Sequence, residues 1–288
     1  MPPLVEGVGA QRDAPAAVPP PDVPPGSDIS MSLIIPAHNE EDRLAATLTL
    51  YARELRARFG DHVEIIVVAN GCVDNTVGVV SAMAEDTPQI AVVDVPGRIG
   101  KGGAVLVGIL QARGERIAFA DADGSTAAAS LIDLVERLDR YDVVIGSRRL
   151  SRSIVMRPQP LRRRACGWIF ASCVRLLFDL PYRDTQCGSK AFRRAAALRL
   201  AETVRETRWT FDVDLLLSAR ALALSVGEYP VIWTDQAGSR LRIMSTAGEV
   251  LRSLWRLKRR RAVLSTDPHM FVAPLVPLGE SEYRERVS

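Results

Sequence analysis

The chain has 288 residues, 47% of them apolar, and a formal net charge of only +3. That is enough apolar material to bury one sizeable core within a single elaborated domain, and the balance is too even for overall charge to indicate a partner. Its four cysteines (72, 166, 173 and 187) form no CxxC pair and no regular framework, which excludes a zinc or disulfide scaffold and predicts a reduced, cytosolic protein.

Residues 1–29 are rich in proline and alanine ("APAAVPPPDVPPGSD"), a composition that cannot bury a core and predicts a disordered tail. No basic n-region precedes an apolar h-region, and no stretch reaches about 18 uninterrupted apolar residues, so neither a signal peptide nor a spanning helix is expected. If the chain works at a membrane, it lies on it.

From Met31 onward, strand-length apolar runs alternate with helical periodicity. "SLIIPA" is followed by Leu44, Leu48 and Leu55; "VEIIVVA" by "TVGVVSAMA"; "QIAVVDV" by "GAVLVGILQA"; "RIAFADA" by "LIDLVERL"; then comes "YDVVIGS". Continuous apolar strands between helices predict an α/β fold, a mostly parallel sheet with helices on both faces. Gly60 and Gly114 stand where helix ends are expected. After Ser147 the alternation breaks down, and seven arginines fall between Gly146 and Arg164 with no acid among them. A helix is expected over about 161–179, with Cys166 and Cys173 buried in it. The irregular "PYRDTQCGSKAFRR" follows, then a helix around "FDVDLLLSARALAL", a strand "VGEYPVIW", and a last helix over 246–261.

In such a sheet, ligands sit at the carboxyl ends of the strands. Four loops there are unusually polar: "PAHNEE" (36–41), "ANGCVDNT" (69–76), "DADGS" (121–125) and "GSRR" (146–149). Asn39, Glu40 and Asn75 also suit simple helix capping. Asp121 and Asp123 flank a small alanine, and two carboxylates so close repel unless a cation neutralises them. Mg2+ or Mn2+ held there, with waters and phosphate oxygens completing the shell, would stabilise a diphosphate leaving group; a solvated turn is the alternative. "GRIGKGGA" fails the Walker pattern because Gly102 follows Lys101, which leaves Lys101 either beside a pyrophosphate at a helix start or on a flexible surface turn.

Taken in order, "SLIIPAHNEE", "IIVVANGCVDNT", "GKGGAVLVGI", "FADADGS", "VIGSRR", "RDTQCGSKAFRR", "WTFDVDLL" and "WTDQAGSRL" resemble the motif series of family-2 glycosyltransferases of the GT-A fold. Within these, they resemble the polyprenyl- or dolichyl-phosphate sugar synthases, and especially the dolichyl-phosphate glucosyltransferase type. The resemblance covers 31–245, implying a transferase domain over 30–245 followed by a basic amphipathic helix and tail over 246–288. It implies that Pro36, Ala37, His38 and Glu40 hold the nucleoside, with Val68 and Asn70 at the base-reading end. It places Asp121, Ala122 and Asp123 at the metal and diphosphate, Ser125 as a further metal ligand, and Arg148 and Arg240 near the phosphates. His38 stands where the family has tyrosine, and Ala69-Asn70 where it has paired aspartates. Thr234 stands where mannosyl synthases carry arginine, which favours UDP-glucose over GDP-mannose.

The activity implied is inverting transfer of a hexose, glucose rather than mannose, to a polyprenyl phosphate. A phosphate monoester is already largely dianionic at neutral pH and needs cations rather than a base; Arg148, Arg149 and Arg183 fit that task. The alternative acceptor is a soluble hydroxyl, with Asp212 or Asp214 as its base, although both also suit a helix N-terminus. "GWIFASCVRLLFDL" and "EVLRSLWRLKRRR" could each supply an apolar surface for the polyprenyl tail, and the latter suits a helix lying on an anionic bilayer at the inner face of the membrane or, equally, a core-packed helix. No recognised module points to nucleic acid.

Overall fold

Strand β1 (Met31–Ala37) is buried on both faces because alternate residues feed two different cores. Ile34 points to one, Leu33 and Ile35 to the other. The computed structural model describes residues 28–157, 160–236 and 243–264, so the predicted N-terminal and C-terminal tails lie almost wholly outside the described residues, as does Arg240.

Helix α1 (Leu44–Phe59) buries Leu44, Leu48, Tyr51 and Leu55 as one stripe, and ends at Gly60 with φ 67°. β2 (Val63–Asn70), α2 (Thr76–Asp86), β3 (Ile90–Val95), α3 (Gly100–Gln111), β4 (Arg116–Phe119), α4 (Ala128–Glu136) and β5 (Val143–Ser147) continue the expected alternation. Gly114 is not a helix end; α3 stops at Gln111 and Gly114 packs on β1 beside Ser32.

The second part adds β6 (Ile154–Arg157), α5 (Leu161–Phe178), β7 (Lys190–Arg193), α6 (Arg194–Thr203), α7 (Phe211–Ala221), β8 (Val226–Pro230), β9 (Ile232–Thr234) and α8 (Ile243–Leu264). The seven-stranded sheet runs β3-β2-β1-β4-β7-β5-β8. All pairings are parallel except those of β7, which is antiparallel to both β4 and β5. The stretch read as irregular thus supplies a central strand. "VGEYPVIW" is two strands, because the chain leaves the main sheet after Pro230 and β9 pairs with β6 in a separate two-stranded sheet.

α3 and α7 lie on one side, joined there by Leu254 and Leu257 of α8; α1 and α4 lie on the other. α8 starts at Ile243 and is anchored in the core, so the expected boundary at 246 falls inside an element. Each fully buried Leu, Ile or Phe contributes about 1.5–3 kcal/mol to this arrangement.

Candidate active site

The reversed direction of β7 shapes the site. Lys190, its first residue, pairs with Phe119 near the carboxyl end of β4 and with Ile145 of β5. The loop before it, 184–189, therefore reaches the same sheet edge as the loops after β1, β2, β4 and β5.

Beyond β4 the chain turns, the Gly124 N–H donating to the Asp121 carbonyl at 3.3 Å. Ala120 and Ala122 are buried, while Asp121 and Asp123 face outward, only partly covered. Asp123 Oδ1 accepts the N–H of Ser125 at 2.9 Å. Ser125 is itself buried, and its carbonyl accepts the N–H of Thr234 at 2.9 Å. The backbone of Ser125 thus ties the loop to Asp123 and to the end of β9. Asp121 has two dissimilar neighbours. A Cβ built on Gly188 would lie 1.8 Å from Oδ2, so no residue but glycine fits beside that oxygen, while Oδ1 receives Lys101 Nζ at 2.6 Å.

Lys101 opens α3, whose start is pinned by Gly102. The Gly102 N–H donates to the Thr207 carbonyl at 2.8 Å, and an added Cβ there would meet the Phe211 ring at 2.4 Å. Burial would lower the Lys101 pKa, but the Asp121 and Asp212 carboxylates outweigh it and hold the ammonium above its ordinary value. Lys190 is fully buried; its Nζ donates to Asp212 Oδ1 at 2.5 Å and to the Cys187 carbonyl at 2.8 Å. Both ammonium groups lie 5.5 Å from the centroid of the Phe119 ring, a favourable cation–π separation.

The two acids of α7 diverge. Asp212 meets Lys190, whereas Asp214 accepts the N–H groups of Arg205 and Glu206 at 2.7 and 2.9 Å and the Arg260 guanidinium at 3.0 Å. Asp214 thereby clamps α8 onto α7.

At the expected nucleoside end, His38 Nδ1 pairs with the Asn70 carbonyl at 2.8 Å, and Asn70 Oδ1 accepts the N–H of Ile99 at 2.8 Å. Asn70 thereby ties the end of β2 to the start of α3. Pro36 and Ala37 close β1 in register with Val68 and Ala69. Val68 is fully buried in a strand paired on both sides, so its side chain supports this region and cannot touch a ligand. Glu40 is paired with Arg43, which the sequence did not single out. The bond to Glu40 and the fields of Asp123 and Asp121 raise the Arg43 pKa, despite partial burial. Asn75 precedes α2 without a side-chain capping bond; Asp74 Oδ1 accepts from Thr76 N–H at 3.1 Å, and Thr76 Oγ1 accepts from Glu40 N–H at 2.8 Å, which joins the loops after β1 and β2.

Arg148 is locked to Asp184 through Nε at 2.7 Å, Nη2 at 2.9 Å and its own N–H at 3.0 Å, and its guanidinium lies 5.3 Å over the Trp233 ring. Burial pushes the Asp184 carboxyl up, but Arg148 overrides it and holds the group below the ordinary carboxylate value. Arg149 Nη2 donates to the Gly167 carbonyl at 2.8 Å, tying this loop to α5, and burial together with Arg148 and Arg175 lowers its pKa. The backbone N–H of Arg183 is held by Glu228 at 2.9 Å, and the residue is exposed.

α5 buries Ala171, Val174 and Phe178 inward yet exposes Leu161 (78%), Trp168 (64%), Ile169 (64%) and Leu176 (88%). Cys166 and Cys173 share the outer side and are exposed, contrary to expectation, because the core-facing stripe is already filled by those three residues. No helix among the described residues is long and apolar enough to cross a membrane.

A mostly parallel sheet with an outward carboxylate pair after a strand, joined by an antiparallel central strand, defines the GT-A class of nucleotide-sugar transferases. Residues 32–198 match Glycosyl transferase family 2, and the chain belongs to that family. It is 32% identical over 248 residues to a dolichyl-phosphate beta-glucosyltransferase of Dictyostelium discoideum, covering 82% of this chain and 76% of that protein. It is 30% identical to glycosyltransferase AglD of Haloferax volcanii across 81% of this chain, which spans only 38% of that relative's length. Among solved structures, glucosyl-3-phosphoglycerate synthase from Mycobacterium tuberculosis with Mn2+, UDP-glucose and phosphoglyceric acid superposes with a TM-score of 0.57 at 17% identity, covering 82% of this chain and 80% of that one. That likeness shows the shared fold.

Proposed function

We propose that this glycosyltransferase moves glucose from UDP-glucose to a dolichyl or other polyprenyl phosphate, with inversion at the anomeric carbon. The observation that carries it is the 184–189 loop, which packs Gly188 on Asp121 and bonds Asp184 to Arg148, so a diphosphate-side acid and an arginine group share one support. The names of the relatives of Dictyostelium and Drosophila, dolichyl-phosphate beta-glucosyltransferases, agree with it.

Asp121 and Asp123 would hold Mg2+ or Mn2+. Two carboxylates suit these hard cations, and no group of three or more His, Cys, Asp or Glu side chains among the described residues could hold a metal ion, so phosphate oxygens and water have to complete the shell. A divalent ion there supplies Lewis-acid stabilisation of the departing diphosphate. The M. tuberculosis structure with Mn2+ and UDP-glucose supports such a requirement on this fold.

His38, Asn70 and the α3 start frame the nucleoside, and Glu40 with Arg43 borders the acids. Arg149 and Arg183 receive the lipid phosphate while Arg148, saturated by Asp184, positions them. No base is needed for a phosphate already deprotonated. Asp212, the acid a hydroxyl acceptor would require, is neutralised by Lys190, which counts against that alternative. The outer face of α5, flanked by exposed Arg164 and Arg175, rests on the anionic inner face of a membrane, with the chain bound peripherally from the cytoplasmic side. α8 is the weaker candidate, because Leu254 and Leu257 are spent on the core.

The test is a donor panel of UDP-glucose and GDP-mannose with a short polyprenyl phosphate and Mg2+ or Mn2+. Glucose entering the lipid phase as an acid-labile phosphodiester supports the proposal. Transfer only to water-soluble hydroxyl acceptors would refute it.

A further inference from the structure

We propose that Lys101 is a built-in counter-ion that occupies the cation position at Asp121 until the donor arrives, so that divalent metal and nucleotide sugar bind as a coupled pair. This rests on Asp121 and Asp123 being the metal-holding acids. Both oxygens of the Asp121 carboxylate already have a neighbour. Oδ2 is packed on Gly188, where an added Cβ would lie 1.8 Å away, and Ala122 beyond it is anchored in the core. Oδ1 is the other oxygen, and Lys101 Nζ sits on it at 2.6 Å. A divalent ion bound to Asp121 would sit next to the Lys101 ammonium, and the repulsion between the two cations favours displacement of the lysine.

Lys101 would leave by its side chain alone. Its backbone is fixed by the Gly102 N–H on the Thr207 carbonyl and by the Phe211 ring against Gly102. Within the site, the other acid acting on it is Asp212, which already holds Lys190 at 2.5 Å. For metal alone, the exchange strands a lysine in a partly covered site. A nucleoside diphosphate changes this, since its phosphate oxygens accept the displaced ammonium while Asp121 accepts the metal. Each ligand then improves the other's binding by the same factor.

The full chain would be titrated with Mn2+ by electron paramagnetic resonance, with and without saturating UDP. In the wild type, UDP should tighten Mn2+ binding by ~10-fold. Lys101→Met should bind Mn2+ ~5-fold or more tightly without UDP and show a correspondingly smaller tightening by UDP, the remainder coming from phosphate oxygens on the metal, whereas Lys101→Arg should behave like the wild type. Lys101→Gln serves if the methionine variant does not fold. Unchanged or weaker Mn2+ binding by the neutral variants without UDP overturns the exchange. Asp121→Asn separates the two ideas: retained Mn2+ binding there removes the metal reading itself, and the exchange with it.

Discussion

Asp123 and Lys190 make opposite demands on the same site. Asp123 is outward and costs the fold little, so Asp123→Ala should leave the melting temperature within a few degrees while lowering kcat/KM by ~10^3-fold, the scale of several kcal/mol of charge stabilisation. Steady-state release of UDP checks it. Lys190 is fully buried, and Lys190→Met strands Asp212 without its partner at a cost of about 3–5 kcal/mol in urea unfolding. Adding Asp212→Leu to that variant should restore much of the loss, because removing both charges avoids the unpaired one. A third expectation concerns acid. The folded Asp184 carboxyl is held below its ordinary value by Arg148, so its contribution is present above about pH 4 and fades as pH falls further. The stability gap between wild type and Asp184→Asn should be constant from pH 7 to about 5 and close below about 4. The position of Asp121 and Asp123 at a strand end was legible because they directly follow the apolar run of β4. Lys190 was overlooked although it carried a signal: a lysine beside "AFR" in an apolar context demands a buried acid. Arg43 carried less, being one of many surface-like arginines three residues from a glutamate.

At the scale of elements, sequence order sufficed through β5, where apolar strands of four to eight residues alternate with helices of clear periodicity. β7 escaped because it is four residues, begins with a lysine and ends with an arginine, and owes its strand form to partners on both sides. Its direction could not be read locally either, since pairing between β4 and β5 is a long-range event. The same limit hid the role of α8. Its heptad-like apolar residues with basic neighbours suit a membrane or a core equally, and only the packing decides: Leu254 and Leu257 are buried, while Leu251 and Trp255 are exposed. Leu254→Ala should accordingly destabilise by about 2–5 kcal/mol, and Leu251→Ser by no more than about 0.5 kcal/mol, as measured by urea denaturation.

For the whole molecule, the sheet edge and α5 impose one orientation. Arg149 bonds the carbonyl of Gly167, so the arginine group and the outer apolar face belong to one connected wall. On the proposed reading, a lipid phosphate presented from a bilayer touching that face would arrive beside the arginines, with its chain still in the membrane. Water strongly disfavours leaving Leu161, Trp168, Ile169 and Leu176 uncovered in one patch, and the flanking Arg164 and Arg175 match anionic headgroups rather than an apolar protein core. Replacing Trp168, Ile169 and Leu176 together by serine should weaken binding to anionic vesicles by at least ~10-fold, since each side chain contributes on the order of 1 kcal/mol when partly inserted. The melting temperature should hold, because none of the three supports the core. Turnover of a short, water-soluble polyprenyl phosphate should fall far less than turnover of a long-chain acceptor embedded in vesicles. Equal vesicle binding by the triple variant would move the membrane contact elsewhere, whereas equal losses on both acceptors would make α5 part of the catalytic wall instead of the surface that brings it to the lipid.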